Sequence, residues 1–250
     1  MAASGLTRRD LLDAARRAGY KLSDRQLTDW VSRGLIANAS IVGKGKGKGK
    51  GVEGRWHPAQ RDLLLNLLAK RQTVTTLVPL YNIPVFIWLN WSDFNTYVKV
   101  DQIRKALGSW IDQSRTARSV SAARQAAEAT VEQAATQDAD EGDRRAAIRF
   151  LTDLAPGAPY DAQQLGDVFD AIGSLLPISE VVELASSRHR AIAHYEGHTD
   201  TDFQNAREAY LADVRGDVQS SPDQDVRQEL AGHACLNLLT HLGHGDQSDV

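Results

Sequence analysis

The stretch "SDRQLTDWVSRGLI", from Ser23 to Ile36, is typical of a short helix with a defined beginning and end. Ser23 and Gln26 have the S-x-x-Q spacing of a capping box, in which the two residues satisfy each other's backbone N–H groups. Gly34 supplies the residue type that most readily ends a helix. The apolar side chains at helical spacing are Leu27, Trp30 and Val31.

A similar segment, "TRRDLLDAARRAG" from Thr7 to Gly19, comes directly before it. Thr7 and Asp10 form a second capping-box pattern, and Gly19 again marks the end. Its apolar stripe consists of Leu11, Leu12 and Ala15. Two short helices joined by a tight turn that contains glycine predict a helix-turn-helix.

A hairpin and a third helix are predicted next. The segments "LIANASIV" (35–42) and "VEGRW" (52–56) are short enough to be its two strands, and the run "GKGKGKGKG" (43–51) would form its tip. Pro58 stands where a helix begins, and "PAQRDLLLNLLAKRQ" (58–72) has leucines at helical spacing. The predicted order is therefore helix, helix, hairpin, helix.

Charge is distributed unevenly along the 250 residues, although the net charge is only −3. Residues 1–72 contain 15 Lys/Arg and 6 Asp/Glu, a net of +9, whereas residues 73–250 contain 14 and 26, a net of −12. This asymmetry indicates a segment that binds a polyanion, attached to an acidic body. The alternative is a chance clustering of surface charges.

The Gly-Lys run does not fit an enzyme's phosphate loop. A P-loop needs two glycines five residues apart followed by Lys and Ser/Thr, but the residues after the pair Gly49 and Gly54 are Arg55 and Trp56. Gly49, Gly51 and Gly54 match G-x-G-x-x-G, yet no βαβ unit surrounds them. Lysines in a glycine-rich hairpin tip can neutralise DNA phosphates without fixed geometry, and this is the interpretation we favour over a solvated tip.

These N-terminal residues resemble the winged helix-turn-helix of the MerR family of bacterial regulators, over about 70 of the 250 residues. That family has the pattern S-x-R-x-L-x-x-Y-x-x-x-G-L-I in its second helix. The matching residues are Ser23, Arg25, Leu27, Trp30, Gly34, Leu35 and Ile36, and after the wing Arg55, Trp56, His57 and Pro58. Thr28 and Asp29 depart from the family pattern, so the resemblance implies no particular operator and leaves excisionase-like and other small winged proteins open.

The resemblance implies that the second helix enters the major groove of double-stranded DNA and that the hairpin contacts phosphates. The expected DNA-binding residues are Arg25, Gln26, Thr28, Asp29, Arg33, Lys44, Lys46, Lys48, Lys50 and Arg55. The arginines Arg8, Arg9, Arg16 and Arg17 are further candidates for backbone contacts. A salt bridge between Arg25 and Asp29 is the structural alternative for Arg25, and core packing is favoured over a phosphate contact for Trp30.

After the predicted winged helix-turn-helix of residues 1–72, the sequence predicts three further segments. The chain is therefore expected to be mainly α. Residues 73–112 are an aromatic-rich connection, with one or two strands or an extended arm between Val74 and Tyr97, and then a helix over "KVDQIRKALGSWID". Residues 113–142 are an alanine-rich helix or linker, either solvent-bridging or a weak coiled-coil seam with Val120, Ala127 and Val131. Residues 143–250 are an acidic helical bundle.

Several other classes of protein are disfavoured. Cys235 is the only cysteine, which excludes an intrachain disulfide or a Cys-rich zinc site. No signature of a nucleophile with its base is recognisable, so we expect no enzyme, metal or cofactor. The histidines His189, His194 and His198 cluster, but Gly197 is expected to end their helix; surface histidines are favoured over a metal or pH-sensitive contact. No leader pattern or bilayer-spanning stretch is found, and we expect a cytoplasmic, nucleoid-associated protein.

The sequence thus predicts a bacterial, sequence-specific DNA-binding protein, a homodimeric transcriptional regulator whose acidic region is available to a protein partner. One alternative is an architectural, plasmid-maintenance or mobile-element protein that coats or bends DNA. A second alternative is a protein-interaction adaptor whose helical body is the active part.

Overall fold

A computed structural model describes residues 5–43, 52–90, 98–114, 124, 127–128, 131–132, 135–153, 161–173, 187–188, 190–220 and 231–245. The described residues are mainly helical, with one two-stranded antiparallel sheet among them, as predicted. The chain divides into two compact units, residues 1–109 with 218–235 and residues 110–217 with 236–250. The bounds of the four segments predicted from the sequence (1–72, 73–112, 113–142 and 143–250) stay predictions.

The first unit begins with two capped helices, α1 (Arg8–Arg17) and α2 (Asp24–Ser32). Both predicted capping boxes are formed: Thr7 with Asp10, and Ser23 with Gln26. Hydrogen bonds from the Thr7 backbone N–H and hydroxyl lower the pKa of the Asp10 carboxyl. The turns after the helices use glycine in the left-handed region, with φ of 83° at Gly19 and 77° at Gly34.

The predicted hairpin is present as β1 (Ser40–Gly43) and β2 (Val52–Arg55), although β1 is shorter than the predicted strand over residues 35–42 and extends to Gly43. The strands are antiparallel, with Ile41 opposite Gly54 and Gly43 opposite Val52. Residues 44–51, which contain the four lysines of the predicted tip, lie outside the described residues. An isolated bridge between Leu6 and Trp56, with 2.8 Å hydrogen bonds in both directions, ties the segment before α1 to the end of the hairpin.

Three more helices follow along the chain: α3 (Ala59–Arg71), α4 (Val78–Asn90) and α5 (Val100–Ser114), whose last five residues belong to the second unit. The positions of α3 and α5 agree with the sequence prediction. α4 does not, because strands or an extended arm were expected between Val74 and Tyr97. Residues 91–97 of that segment lie outside the described part.

The cause of this error is burial on most sides of α4. Leu80, Tyr81, Val85, Trp88 and Leu89 are all fully buried. A helix enclosed by its neighbours loses the polar face that would reveal its 3.6-residue period, so its composition resembles that of a buried strand.

The later elements are α6 (Glu141–Asp153), α7 (Ala162–Ala171), a 3-10 turn (Tyr195–Gly197), α8 (Asp200–Ser220) and α9 (Ala234–Gly245). They belong to the second unit except for residues 218–220 of α8 and 234–235 of α9. One core cluster in this unit joins Ala147 of α6 to Leu165 and Phe169 of α7. Val131 and Ala135 of the alanine-rich segment belong to the same cluster.

The burial of Val131 corrects the expectation for the alanine-rich segment. This side chain is 2% exposed and packs within the chain, so at this position the segment is neither solvent-bridging nor a seam between copies. Ala127 is buried as well, whereas Val120 lies outside the described residues. None of the described helices has both the length and the apolar character that crossing a membrane requires.

Candidate functional site

The exposed side of α2 carries two aspartates, and each is neutralised by an arginine. Arg8 of α1 lies 2.5 Å from the Asp24 carboxylate and also donates to the Asp24 carbonyl at 2.8 Å. Arg33, at the end of α2, pairs with Asp29 at 2.8 Å. The negative charges that would repel a polyanion are therefore compensated within the fold.

Arg25 is the arginine of α2 that remains available. It is exposed in the first turn of the helix, and among the described residues no carboxylate forms an ion pair with it. The alternative pairing of Arg25 with Asp29 does not form, because Asp29 pairs with Arg33 instead.

The other predicted contact residues of α2 bind the protein itself. The Gln26 side-chain oxygen accepts hydrogen bonds from the Ser23 N–H at 3.0 Å and from its hydroxyl at 3.1 Å. The Thr28 hydroxyl donates to the Asp24 carbonyl at 3.0 Å and accepts from Arg8. In this arrangement Gln26 caps the helix and Thr28 helps to join α1 to α2.

Arg33 is directed into the fold. Its guanidinium hydrogen-bonds to Asp29 and Tyr81, and these bonds raise the pKa of Arg33. Burial raises the pKa of Tyr81, which is fully enclosed on α4. Arg33 therefore joins the end of α2 to α4, so its described contacts fit a structural role.

A chain of buried amides fixes the connection after α2, and sequence patterns had not indicated it. The Gln60 side-chain oxygen accepts from the Ala37 N–H at 2.9 Å, and its NH₂ donates to Gln102 at 3.3 Å. Gln102 in turn donates to the Leu35 carbonyl at 3.2 Å. Both glutamines are 1% exposed, so these bonds tie α3 and α5 to the segment that leads from α2 into the hairpin.

Trp30 and Trp56 both have structural roles. Trp30 is 4% exposed, which confirms that core packing was the correct interpretation of its spacing. Trp56 is 6% exposed, and its indole N–H donates to the Ala37 carbonyl at 2.8 Å. Together with the buried amides, Trp56 sets where the hairpin leaves the helices.

Arg55, at the base of the hairpin, also contacts the protein. It donates to the Gly5 carbonyl at 2.8 Å and pairs with Glu53 at 2.5 Å. Its side chain is 35% exposed, so it is accessible but already bound. The four predicted lysines lie in residues 44–51, outside the described part of the chain.

Three arginines of α1 contact Asp13, two of them at its carboxylate and one at its backbone carbonyl. Arg16 lies 3.1 Å and Arg9 3.7 Å from the Asp13 carboxylate, and the Arg17 side chain donates to the Asp13 carbonyl at 3.3 Å. Because three positive charges surround one negative charge, this part of α1 carries a net positive charge. The most exposed of the paired arginines is Arg9, at 90%.

A cleft of about 840 Å³ opens between the hairpin and the first two helices. The side chains that line it from the helices include Arg8, Arg9, Thr28 and Val31, and those from the hairpin include Ile41 and Val52. Residues three apart lie on the same side of a helix, so Arg25 continues the ridge of α2 that begins at Thr28. Thr28 of that ridge lines the cleft, whereas Arg25 is not among the described residues that line it.

Other groups in the described chain do not form a recognisable chemical site. The α-helical residues before His194 end at residue 193, earlier than the expected end at Gly197, and the 3-10 turn Tyr195–Gly197 separates His194 from His198. Within the described residues, no group of three His, Cys, Asp or Glu side chains is placed to hold a metal ion. Cys235 is buried, and burial raises the pKa of its thiol well above the usual value.

Comparison with protein-family models, with curated proteins and with solved structures yields no match to this chain. Function is therefore inferred from the residues and the geometry of the N-terminal unit.

Proposed function

We propose that this chain is a sequence-specific DNA-binding protein whose N-terminal unit is a winged helix-turn-helix. In this proposal α2 is the recognition helix and the hairpin is the wing. The single observation that carries it is the charge arrangement on α2. The two aspartates of α2 are neutralised by Arg8 and Arg33, while Arg25 is exposed and pairs with no described carboxylate.

The arrangement of α1 and α2 supports the first part of the proposal. A helix can enter the major groove only if one of its faces is exposed while the other is held by a scaffold. α2 meets this condition, since Leu27 and Trp30 are buried and Arg25 and Thr28 are exposed. The ion pair of Arg8 with Asp24 fixes its first turn against α1.

The chemistry of Arg25 supports base recognition. A guanidinium can donate two parallel hydrogen bonds to O6 and N7 of guanine, which is the commonest specific contact in the major groove. Gln26 and Thr28 would have to release their present hydrogen bonds before they could reach bases. In this proposal Arg25 is therefore the main residue that recognises the DNA bases.

The wing lysines supply affinity that does not depend on sequence. Lys44, Lys46, Lys48 and Lys50 lie between the two paired strands, so they belong to the connection of the hairpin that borders the cleft. Each phosphate that a lysine neutralises releases counterions and makes binding more sensitive to salt.

We extend the proposal to a dimeric regulator of the MerR-like type. The support is the residue pattern of the second helix and the acidic helical region, which has its own core cluster and can serve as the assembly or sensing part. A homodimer would read an inverted repeat, because the symmetry of its site mirrors that of the protein. Architectural DNA binding, the main alternative, would produce coverage without a fixed repeat.

Salt-dependent binding to duplex DNA tests the proposal. Affinity would be measured by fluorescence anisotropy between about 50 and 300 mM salt for the wild type and for the variant K44A/K46A/K48A/K50A. If all four lysines contact phosphates, the slope of log K against log salt should become less steep by about 3.6, at about 0.9 per contact. An unchanged slope would remove the wing from the interface.

A control matched for charge uses the second unit. Arg145 and Arg149 are exposed on α6, and the variant R145A/R149A loses the same charge as K44A/K46A. The lysine double variant should reduce the slope by about 1.8 and the arginine double variant should leave it unchanged. Equal effects would indicate a response to overall charge rather than a contact of the wing.

A further inference from the structure

Two arginines of the second unit lie against α9 in a partly enclosed position. Arg188 and Arg190 are both partly buried, and the hydroxyl groups that they contact belong to the buried residues Thr240 and Ser187. Removing a charged group from water is costly unless an opposite charge accompanies it. The partners of these arginines therefore indicate whether the fold itself supplies that charge.

The Arg188 guanidinium is bound to a neutral group. Its Nε donates to the Thr240 hydroxyl at 2.9 Å, and this hydroxyl donates in turn to the Leu236 carbonyl at 3.0 Å. No carboxylate among the described residues forms an ion pair with Arg188. A guanidinium has five N–H donors, so the four on the terminal nitrogens of Arg188 have no acceptor in the described part of the chain.

Arg188 nevertheless keeps its positive charge at neutral pH. Burial lowers the pKa of Arg188 to about 10, so the charged form still dominates at pH 7. The fold thus holds a cation in a desolvated position and pairs it only with a hydroxyl. An anion bound there would offset the cost of that desolvation. The side chain is not fully enclosed, so a ligand from solution can reach it.

Arg190 adds a second guanidinium on the same side of α9. Its Nε donates to the Gly243 carbonyl at 3.2 Å, and its terminal Nη2 donates to the Ser187 hydroxyl at 3.0 Å. Thr240 and Gly243 are three residues apart, so the two arginines contact one side of the helix. Their contacts are separated by about one helical turn, or about 5 Å along the axis.

We propose that Arg188, with Arg190 next to it, forms a binding site for a small tetrahedral oxyanion such as inorganic phosphate. The planar guanidinium can donate two parallel hydrogen bonds to two oxygens of such an anion. Two neighbouring positive charges favour a ligand that carries more than one negative charge. The inference concerns the second unit and does not depend on the proposed DNA binding.

Titration of the full-length protein with inorganic phosphate tests the site. Binding would be measured by isothermal titration calorimetry and by the thermal midpoint, at an ionic strength held constant with sodium chloride. A ligand that binds only the folded state lowers the unfolding equilibrium constant about elevenfold at ten times its Kd. The midpoint of the wild type should therefore rise with phosphate. If the wild type shows neither heat of binding nor a higher midpoint, the inference is wrong.

The variant Arg188→Met separates a ligand site from a structural role. It removes the charge but keeps a long side chain, and the Thr240 hydroxyl keeps its bond to the Leu236 carbonyl. Phosphate affinity should fall at least about 100-fold, because two charge-assisted hydrogen bonds are lost. Without phosphate, the midpoint should equal or exceed that of the wild type, since an uncompensated charge has been removed. A lower midpoint with unchanged phosphate affinity would overturn the inference.

Two further variants serve as controls. Arg188→Lys keeps the charge, so it tests the site even if Arg188→Met does not fold; it should bind phosphate about tenfold more weakly, because an ammonium group cannot form the paired bonds. Arg149→Ala removes one charge from an exposed position on α6 in the same unit and should bind phosphate like the wild type. Equal weakening in Arg149→Ala and Arg188→Met would indicate a response to overall charge and refute the site.

The remaining outcomes distinguish this inference from the proposed function. If the wild type binds phosphate through Arg188 but binds no duplex DNA, the oxyanion site stands and the proposed function fails. If Arg188→Met weakens DNA binding while the wild type does not bind free phosphate, Arg188 contacts a DNA phosphate. That result would refute a site for a small anion.

Discussion

Replacing Gly34 by alanine should destabilise the N-terminal unit much more than replacing Gly19. Both glycines end a helix in the left-handed region, at φ of 77° and 83°. An alanine in that region costs about 1 to 2 kcal/mol at either position. The two sites differ in what the new methyl group would meet, and this difference can be worked out from the structure.

At Gly19 an added Cβ has no heavy atom within 4 Å. At Gly34 it would lie 2.4 Å from the backbone nitrogen of Ala106, 2.5 Å from the carbonyl oxygen of Gln102 and 2.8 Å from Lys105 Cβ. Two of these atoms belong to the backbone of α5, so the helix as a whole must move. Overpacking of this kind costs about 1 to 3 kcal/mol in addition to the backbone strain.

We therefore expect G19A to lose about 1 to 2 kcal/mol and G34A about 2 to 5 kcal/mol of unfolding free energy. Urea unfolding followed by tryptophan fluorescence is a suitable assay, because Trp30, Trp56 and Trp88 are all buried in this unit. Equal losses in the two variants would refute the close packing of the α2 turn on α5.

Three further predictions address the site, its support and the second unit. Arg25→Ala should weaken binding to the preferred DNA site about 5- to 150-fold and binding to random DNA far less, with Arg25→Lys as the charge-preserving control in a competition assay. Gln60→Leu should lower the unfolding free energy by about 2 to 4 kcal/mol in urea titrations, because it leaves the Ala37 N–H and Gln102 without their buried partner; a neutral effect would contradict the amide chain. Burial lowers the pKa of His241 against the opposing influence of Asp213, so protonation of His241 is less favourable in the folded protein than in the unfolded chain. The free energy of unfolding is therefore highest above the unfolded pKa of about 6.5 and decreases as the pH falls below that value. Thermal melts between pH 5 and 7.5 should therefore show less acid sensitivity in His241→Gln than in the wild type.

Local signals in the sequence were sufficient for the elements around the cleft. Capping boxes at Thr7 and Ser23 and glycines at 19 and 34 act over three or four residues, and each appears in the structure at the expected position. The hairpin strands were predicted for the same reason, since a glycine-rich connection separates two short segments of suitable composition.

Contacts between distant residues were not predictable in this way. α4 was expected to be extended because its burial removes the polar face that marks a helix. The bond between Gln60 and Gln102 joins residues 42 apart, and no pattern in one chain indicates which glutamines will be buried. The roles of Arg8 and Arg33 were missed likewise, because arginine is typical of both a DNA contact and a structural ion pair.

Selection of genomic DNA fragments by the purified full-length protein at about 150 mM salt tests the central claim most directly, since that ionic strength screens weak surface electrostatics. The retained fragments would be washed, sequenced and compared with the input. We predict enrichment of a short inverted repeat by the wild type, and loss of that enrichment in Arg25→Ala. Recovery of no DNA above background would contradict DNA binding, and uniform recovery would contradict recognition by α2.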